Sequence, residues 1–227
     1  MPVRSDPEAF FARARRRHGD TFAVDLFGNR LLCVFSPAGV RGLWALPEEA
    51  ASKGVADYLL LRHKVPDELF AGRRTFPHHL FGSQDVETYL ERLHAAVDLQ
   101  LEELGSAGDL EVFALARRLG HRLGLACWAG VEAASPRHLD RLVPALDRLD
   151  ASDSFVHPHR GFRAWLTGKR AERRALHALD ARFAEILAER AAAGGVPDDF
   201  LARIAESWAD VAEPERSLGI ARDVVLV

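Results

Sequence analysis

The sequence contains little cysteine and none of the spacings that usually give cysteine a function. Only two cysteines, Cys33 and Cys127, occur in 227 residues, which is too few for a disulfide framework. Each lies in an apolar stretch, and this favours a buried thiol in a reducing compartment. The N-terminal segment places an arginine run after a short apolar patch, the reverse of a secretory signal. We therefore expect a cytoplasmic protein.

Long apolar runs and an excess of basic charge are also missing. No stretch reaches the roughly 18–20 apolar residues that cross a bilayer. The net charge is −3, whereas a dedicated nucleic-acid-binding protein usually carries a strong basic excess. The basic run at residues 12–20 is short and has no second basic patch to accompany it, so it fits a solvated helix face. We expect neither a membrane nor a nucleic acid as a partner.

The sequence has no motif for a metal or a catalytic centre. HExxH, CxxC, GxSxG and the phosphate-binding glycine loop are all absent. The pairs His78–His79 and His157–His159 lack the i, i+4 spacing of zinc ligands on a helix, so we expect surface histidines and no metal site. The carboxylate pair Asp198–Asp199 precedes a predicted helix, where negative charge is favourable.

The first fifty residues predict a helix followed by a β-hairpin. The Asp-Pro-Glu step at residues 6–8 is typical of a helix start. Two strand-like runs follow, Thr21–Leu26 and Arg30–Phe35. The Gly28-Asn29 step between them indicates a hairpin turn. Pro37 then opens a short helix.

The remaining chain consists of an irregular segment, 51–82, and a helical region, 83–227. A long segment with little regular pattern is uncommon in a compact domain unless it does something, such as covering a site. The helical region has apolar residues at helical spacing, and residues 161–195 are expected to form one long helix. The predicted fold is mainly α with a small N-terminal β-hairpin. We treat 1–227 as a single region, with the first helix and the hairpin in 1–50.

The C-terminal run Ser217–Val227, SLGIARDVVLV, fits two different structures. Its valines favour an edge strand. Its apolar positions also fit the start of a buried helix whose remainder is absent, and a run this short does not decide between the two.

The order of these features resembles the N-terminal half of a cytochrome P-450, a haem-thiolate monooxygenase. In that family a helix ends in a Gly-Asp step, a hairpin carries the pattern F-x-V-x-L-x-G, and a Pro-led helix follows. The matching residues here are Gly19, Asp20, Phe22, Val24, Leu26, Gly28 and Pro37. Segment 51–82 resembles the family's substrate-capping segment, and 215–227 resembles the start of its long central helix.

The resemblance implies an oxidoreductase that uses haem iron, acts on a small apolar substrate and receives electrons from a redox partner. As residues that bind the haem propionates it implies Arg92 and His94, in the helix after the capping segment. For the substrate pocket it implies aromatic or apolar residues of the capping and later inter-helix segments, namely Tyr58, Leu69, Phe70, Phe76, Phe155, Phe162 and Trp165.

The sequence also departs from the family. The haem-ligating cysteine of the family lies in an F-x-x-G-x-x-x-C loop near the C-terminus, and neither Cys33 nor Cys127 has that context. The acidic-Thr motif of the family's central helix and the E-x-x-R motif that follows that helix are missing too. We therefore expect an incomplete, truncated cytochrome P-450-like chain that lacks its C-terminal half, binds no haem alone and is not catalytic alone. The alternative is a stand-alone helical protein that binds an apolar ligand or a partner helix without enzymatic activity.

Overall fold

A computed structural model describes residues 6–26, 29–47, 49–51, 58–59, 61–73, 80, 82–150, 158–195 and 197–226. This part of the chain is mainly helical with one antiparallel two-stranded hairpin, as the sequence predicts. By its contacts the chain divides into two compact units, Met1–Asp57 and Tyr58–Val227. None of the described helices is both long enough and apolar enough to cross a membrane.

The first unit has a helix, the hairpin and a second helix. Their bounds are α1 Pro7–His18, β1 Thr21–Leu26, β2 Asn29–Val34 and α2 Pro37–Trp44. Strand β1 has the predicted bounds, and β2 begins and ends one residue before them.

Helix α1 begins where the Asp-Pro-Glu step predicts, because the Asp6 carboxylate accepts the N–H of Ala9 at 2.9 Å. In the hairpin, Phe22 pairs in register with Cys33. The Phe22 ring also stacks on Phe35, with the ring centres 5.5 Å apart. Among the described positions of this unit Phe22 is the buried apolar residue, so its hydrophobic core is small.

The second unit is helical. Its helices are α3 Val86–Leu104, α4 Val112–Ala134, α5 Pro136–Leu149, α6 Pro158–Leu166, α7 Arg170–Ala192, α8 Phe200–Ser207 and α9 Glu215–Leu226. Two 3₁₀ turns, Asp67–Leu69 and Ser83–Asp85, precede them.

Helix α7 lies at the centre of the second unit and packs against α5 and α9. Its apolar residues recur at helical spacing and face inward, as expected for a helix with one buried face. The members of this core that are at most 1% exposed include Leu139, Leu142, Leu176, Leu179, Phe183, Ile186, Phe200, Leu201 and Ile204.

The helix predicted over 161–195 is interrupted between α6 and α7, so the prediction of one continuous helix is wrong. Gly168 has φ 62° and Lys169 has φ 56°, both in the left-handed region, where regular helical hydrogen bonding stops. The Lys169 side chain is buried, and its Nζ lies 2.7 Å from Oδ1 of Asp67. This ion pair joins the break to the 3₁₀ turn at Asp67–Leu69.

The C-terminal run forms helix α9, so the helix is the correct one of its two predicted structures. Ile220, Ala221 and Val224 are buried and belong to the same core as α7. Tertiary packing decides the structure here, since the valines alone would also suit a strand.

Candidate functional site

A pocket of about 200 Å³ lies between α9 and the segment that includes the 3₁₀ turn at Asp67–Leu69. We call it the tryptophan pocket. Its lining residues are Glu68, Ala71, Gly72, Trp208, Glu215, Leu218, Gly219 and Arg222.

Trp208, which follows α8, is the largest side chain of the tryptophan pocket and is only 1% exposed. Its Nε1–H donates to Oδ2 of Asp223 at 2.7 Å, so the polar edge of the buried ring is satisfied. Helix α9 approaches the ring closely because residue 219 is glycine. A Cβ at Gly219 would lie 2.6 Å from Cη2 of the ring, and any larger residue would push α9 away from Trp208.

Arg222 joins α9 to the segment on the other side of the tryptophan pocket. Its guanidinium donates to the carbonyl oxygen of Ala71 and, at 2.7 Å, to that of Arg73. The same guanidinium lies 5.0 Å from the ring centre of Trp208, in cation–π contact. The Arg73 guanidinium, 5.7 Å from that ring, also binds Asp210 at 2.8 Å and lowers the pKa of this carboxyl group.

The lining of the tryptophan pocket combines charge with apolar surface. Glu68 and Glu215 contribute carboxylates, Leu218 contributes apolar surface, and the Arg222 guanidinium is already bound to two carbonyl groups. Its eight lining residues include no serine, cysteine or histidine, so they form no Ser–His or Cys–His pair.

Three of the residues predicted for the substrate pocket belong to segment 51–82, which also contributes lining residues to the tryptophan pocket. Leu69 is buried in the core, and Phe70 packs against the core. The Tyr58 ring meets the Phe70 ring edge to face, with the ring centres 5.4 Å apart. Leu69 and Phe70 lie between Glu68 and Ala71, which line the tryptophan pocket, although neither lines it.

The other predicted substrate residues are placed differently. Phe162 and Trp165 lie on α6, where they are 62% and 56% exposed, and their ring centres are 5.8 Å apart. Neither lines the tryptophan pocket. Outside the described residues lie Phe76 and Phe155, as well as His78, His79 and His157.

Arg92 and His94, predicted for the haem propionates, lie on α3. The Arg92 guanidinium donates to the carbonyl oxygen of Asp198 at 3.2 Å and lies 5.6 Å from the ring centre of Tyr89. His94 is exposed. Because residues two apart on a helix point about 200° from each other, the structure does not bring these two side chains to one face.

The thiolate ligand of such a haem must come from a cysteine, and the chain contains two. Burial raises the pKa of Cys33 in β2 and of Cys127 in α4, which favours the thiol, whereas the metal ligand is the thiolate. No group of three or more His, Cys, Asp or Glu side chains suited to a metal ion occurs within the described residues. Neither cysteine lies in the F-x-x-G-x-x-x-C context of the family's haem ligand, so neither fits the axial ligand that the resemblance implies.

Comparison with known proteins assigns no family. The sequence matches no family model, and no curated protein is significantly similar to it. The arrangement of the residues themselves is therefore the basis for a functional proposal.

A bidentate ion pair, which the sequence did not reveal, joins Arg203 of α8 to Asp85 at the start of α3. Arg203 Nη1 lies 2.8 Å from Asp85 Oδ2, and Nη2 lies 2.9 Å from Oδ1. Asp85 also accepts the N–H of Gly82 at 2.8 Å. The hydrogen bonds from Arg203, followed by the one from Gly82, lower the pKa of Asp85 to about 2. The same guanidinium lowers the pKa of Asp198.

We expect this ion pair to make the second unit sensitive to acid. Since the pKa of Asp85 is lowered in the folded state, from about 3.9 in an unfolded chain, its stabilising effect is complete above about pH 4. That effect is lost as the pH falls towards 2. Urea unfolding measured between pH 5 and about pH 2 should show a decline that Asp85→Asn reduces.

The control for the acid experiment is Asp98→Asn, which changes an exposed carboxylate on α3, the helix that follows Asp85. It should leave the decline of the wild-type protein unchanged. Equal declines for the wild-type protein and Asp85→Asn would contradict the assignment to Asp85.

A buried ion pair between Arg190 of α7 and Asp199 lies beside a kink in α4. Arg190 Nη2 lies 2.7 Å from Asp199 Oδ2 and donates to the carbonyl oxygen of Ala129 at 2.8 Å. Gly130 has φ 81°, and a Cβ there would lie 2.3 Å from Arg190 Nη2, so only glycine leaves room for this contact. Asp199 also accepts the N–H of Ala202 at 2.9 Å, which confirms the predicted helix-start role of this carboxylate.

Proposed function

We propose that this chain is the N-terminal portion of a cytochrome P-450-like haem-dependent monooxygenase and covers part of the site of a small apolar substrate. In this proposal the tryptophan pocket belongs to the substrate-covering region. The chemistry of the reaction depends on haem held by residues other than those described here. An electron-donating partner would act on the complete enzyme.

The observation that carries the proposal is the contact between Arg222 and the carbonyl groups of Ala71 and Arg73. This contact joins the two segments that the resemblance assigns to the substrate cap and to the start of the long central helix. Residues 71–73 belong to the predicted capping segment, and Arg222 belongs to the run that resembles that helix. The order of α1, hairpin, Pro-led α2 and later helices supports the proposal as well.

The proposal assigns limited roles to the residues of this chain. Arg222 and Trp208 hold the capping segment against α9, and Leu218 contributes apolar surface beside them. Arg92 and His94 remain candidates for binding propionates, and their contribution would require the Arg92 side chain to leave the Asp198 carbonyl group. Because neither cysteine has the sequence context of the family's haem ligand, we assign no bond-breaking step to this chain.

The proposal predicts a spectroscopic difference between this chain and a longer one. The coding sequence downstream of Val227 should continue in frame with an acidic-Thr pair and an F-x-x-G-x-x-x-C loop. The longer protein, reduced and exposed to carbon monoxide, should show the Soret band of a thiolate-bound haem. The 227-residue chain, mixed with haem under the same conditions, should not show it.

Two results would contradict the proposal. One is a downstream sequence without a cysteine loop. The other is a thiolate-type band from the 227-residue chain itself, since neither of its cysteines lies in an F-x-x-G-x-x-x-C loop. In the first case, a monodisperse chain that melts cooperatively would favour the alternative, a helical binding protein without enzymatic activity.

A further inference from the structure

An apolar stripe is exposed along helix α3. Val86, Leu90, Val97 and Leu101 are 47%, 52%, 36% and 58% exposed. At about 100° per residue these four positions fall within about 60° of the helix surface, and they extend over about 22 Å of its length. A line of large apolar side chains of this kind marks an interaction surface more often than scattered exposed residues do. We call it the α3 stripe.

The two edges of the α3 stripe differ. On one side lie the buried residues of the helix, Tyr89, Ala96 and Gln100, where α3 packs against α4. On the other side the helix carries a row of exposed carboxylates. Each follows a stripe residue by one position, which places it about 100° further round the helix. This acidic row consists of Glu87, Glu91, Asp98 and Glu102.

The acidic row restricts what can cover the α3 stripe. A second copy of this chain, paired antiparallel through α3 about a two-fold axis, would bring the two acidic rows side by side, and like charges there repel. An anionic lipid surface meets the same repulsion. A helix with basic residues beside its own apolar face would instead place opposite charges together along the open edge.

We propose that the α3 stripe binds an amphipathic helix of a partner protein, whose apolar face is flanked by lysine or arginine. The apolar side chains of that helix pack between Val86, Leu90, Val97 and Leu101. Its basic side chains lie along the acidic row. This inference does not depend on the monooxygenase proposal, because it uses only the surface of α3.

The test uses the whole 227-residue protein and two synthetic peptides of about 20 residues, long enough to form a helix on binding. Both peptides carry leucine at the a and d positions, with lysine along one flank in the first and glutamate there in the second. Fluorescence anisotropy with labelled peptide measures the affinity. We expect the lysine peptide to bind at least about tenfold more tightly than the glutamate peptide, with the difference decreasing as salt is added.

Two variants of the protein separate the apolar and charged parts of the surface. Leu90→Asp/Leu101→Asp should weaken binding of the lysine peptide at least about tenfold. Glu91→Lys/Asp98→Lys should reverse the preference in favour of the glutamate peptide. Leu166→Asp is the matched control, because Leu166 is 69% exposed on α6, and this variant should bind as the wild-type protein does. Circular dichroism verifies that each variant is folded.

Two outcomes would overturn the proposal. The first is equal affinity of the wild-type protein and folded Leu90→Asp/Leu101→Asp for the lysine peptide. The second is a wild-type dimer in sedimentation that Leu90→Asp/Leu101→Asp dissociates, since the stripe would then be covered by a second copy. Both outcomes are independent of the haem experiment.

Discussion

Trp208→Ala is expected to lower the free energy of unfolding of the second unit by about 3–5 kcal/mol, the range typical of removing a large buried aromatic side chain. The ring is 1% exposed and meets α9 where Gly219 lets the helix approach. Its removal leaves a cavity beside α9 and takes the hydrogen-bond donor away from Asp223. Denaturant unfolding followed by circular dichroism measures the change.

Two further variants identify the source of this effect. Trp208→Phe keeps an aromatic ring and removes the Nε1–H, so we expect a smaller loss of about 1–3 kcal/mol, because Oδ2 of Asp223 loses this hydrogen-bond donor. Trp165→Ala removes a tryptophan that is 56% exposed on α6, and it should change stability by less than about 1 kcal/mol. If Trp208→Ala were no more destabilising than Trp165→Ala, Trp208 would not support α9 as described.

Arg190→Met is expected to destabilise the second unit by about 3–5 kcal/mol, because it leaves the Asp199 carboxylate buried without its opposite charge. The side chains of Arg190 and Asp199 are 4% and 1% exposed, so solvent cannot replace the lost partner. The carbonyl group of Ala129 at the kink of α4 loses a donor as well. Urea unfolding at neutral pH measures the loss.

The matched experiment is a double-mutant cycle with Asp199→Asn. Asparagine removes the charge and still accepts a hydrogen bond at the start of α8. The double variant should therefore lose clearly less stability than the sum of the two single losses. Arg137→Met is the surface control, because this side chain is 63% exposed although it pairs with Glu185 and Glu189, and we expect a change below about 1 kcal/mol. Additive losses in the cycle would show that Arg190 and Asp199 act separately.

Short-range signals in the sequence located much of the fold. The Asp6 carboxylate and the following proline predicted the start of α1, and the Gly-Asn step predicted the hairpin. These features depend on residues a few positions apart, and their hydrogen bonds form locally. The break at Lys169 was not predicted, since glycine is tolerated within helices and lysine rarely adopts a left-handed conformation.

The polar contacts of the candidate site could not be predicted in the same way. Arg203 and Asp85 are 118 positions apart in the chain, and Arg222 is 151 positions from Ala71. No local pattern indicates such pairs, because they form only when helices from different parts of the chain pack together. The Asp198–Asp199 step was interpreted as a helix start, and its ion pair with Arg190 appears only in the folded unit.

The burial of Lys169 has a practical consequence for measuring local unfolding, because the chain contains only three lysines. Lys169 is buried against Asp67, and Lys64 is buried against Glu172, with Nζ 3.4 Å from the carboxylate oxygen. An amine-acylating reagent reaches these two groups only when their surroundings unfold locally. Lys53 is the one other lysine in the chain. Mass spectrometry of peptides from the acylated protein therefore measures how often the surroundings of Lys64 and of Lys169 open to solvent.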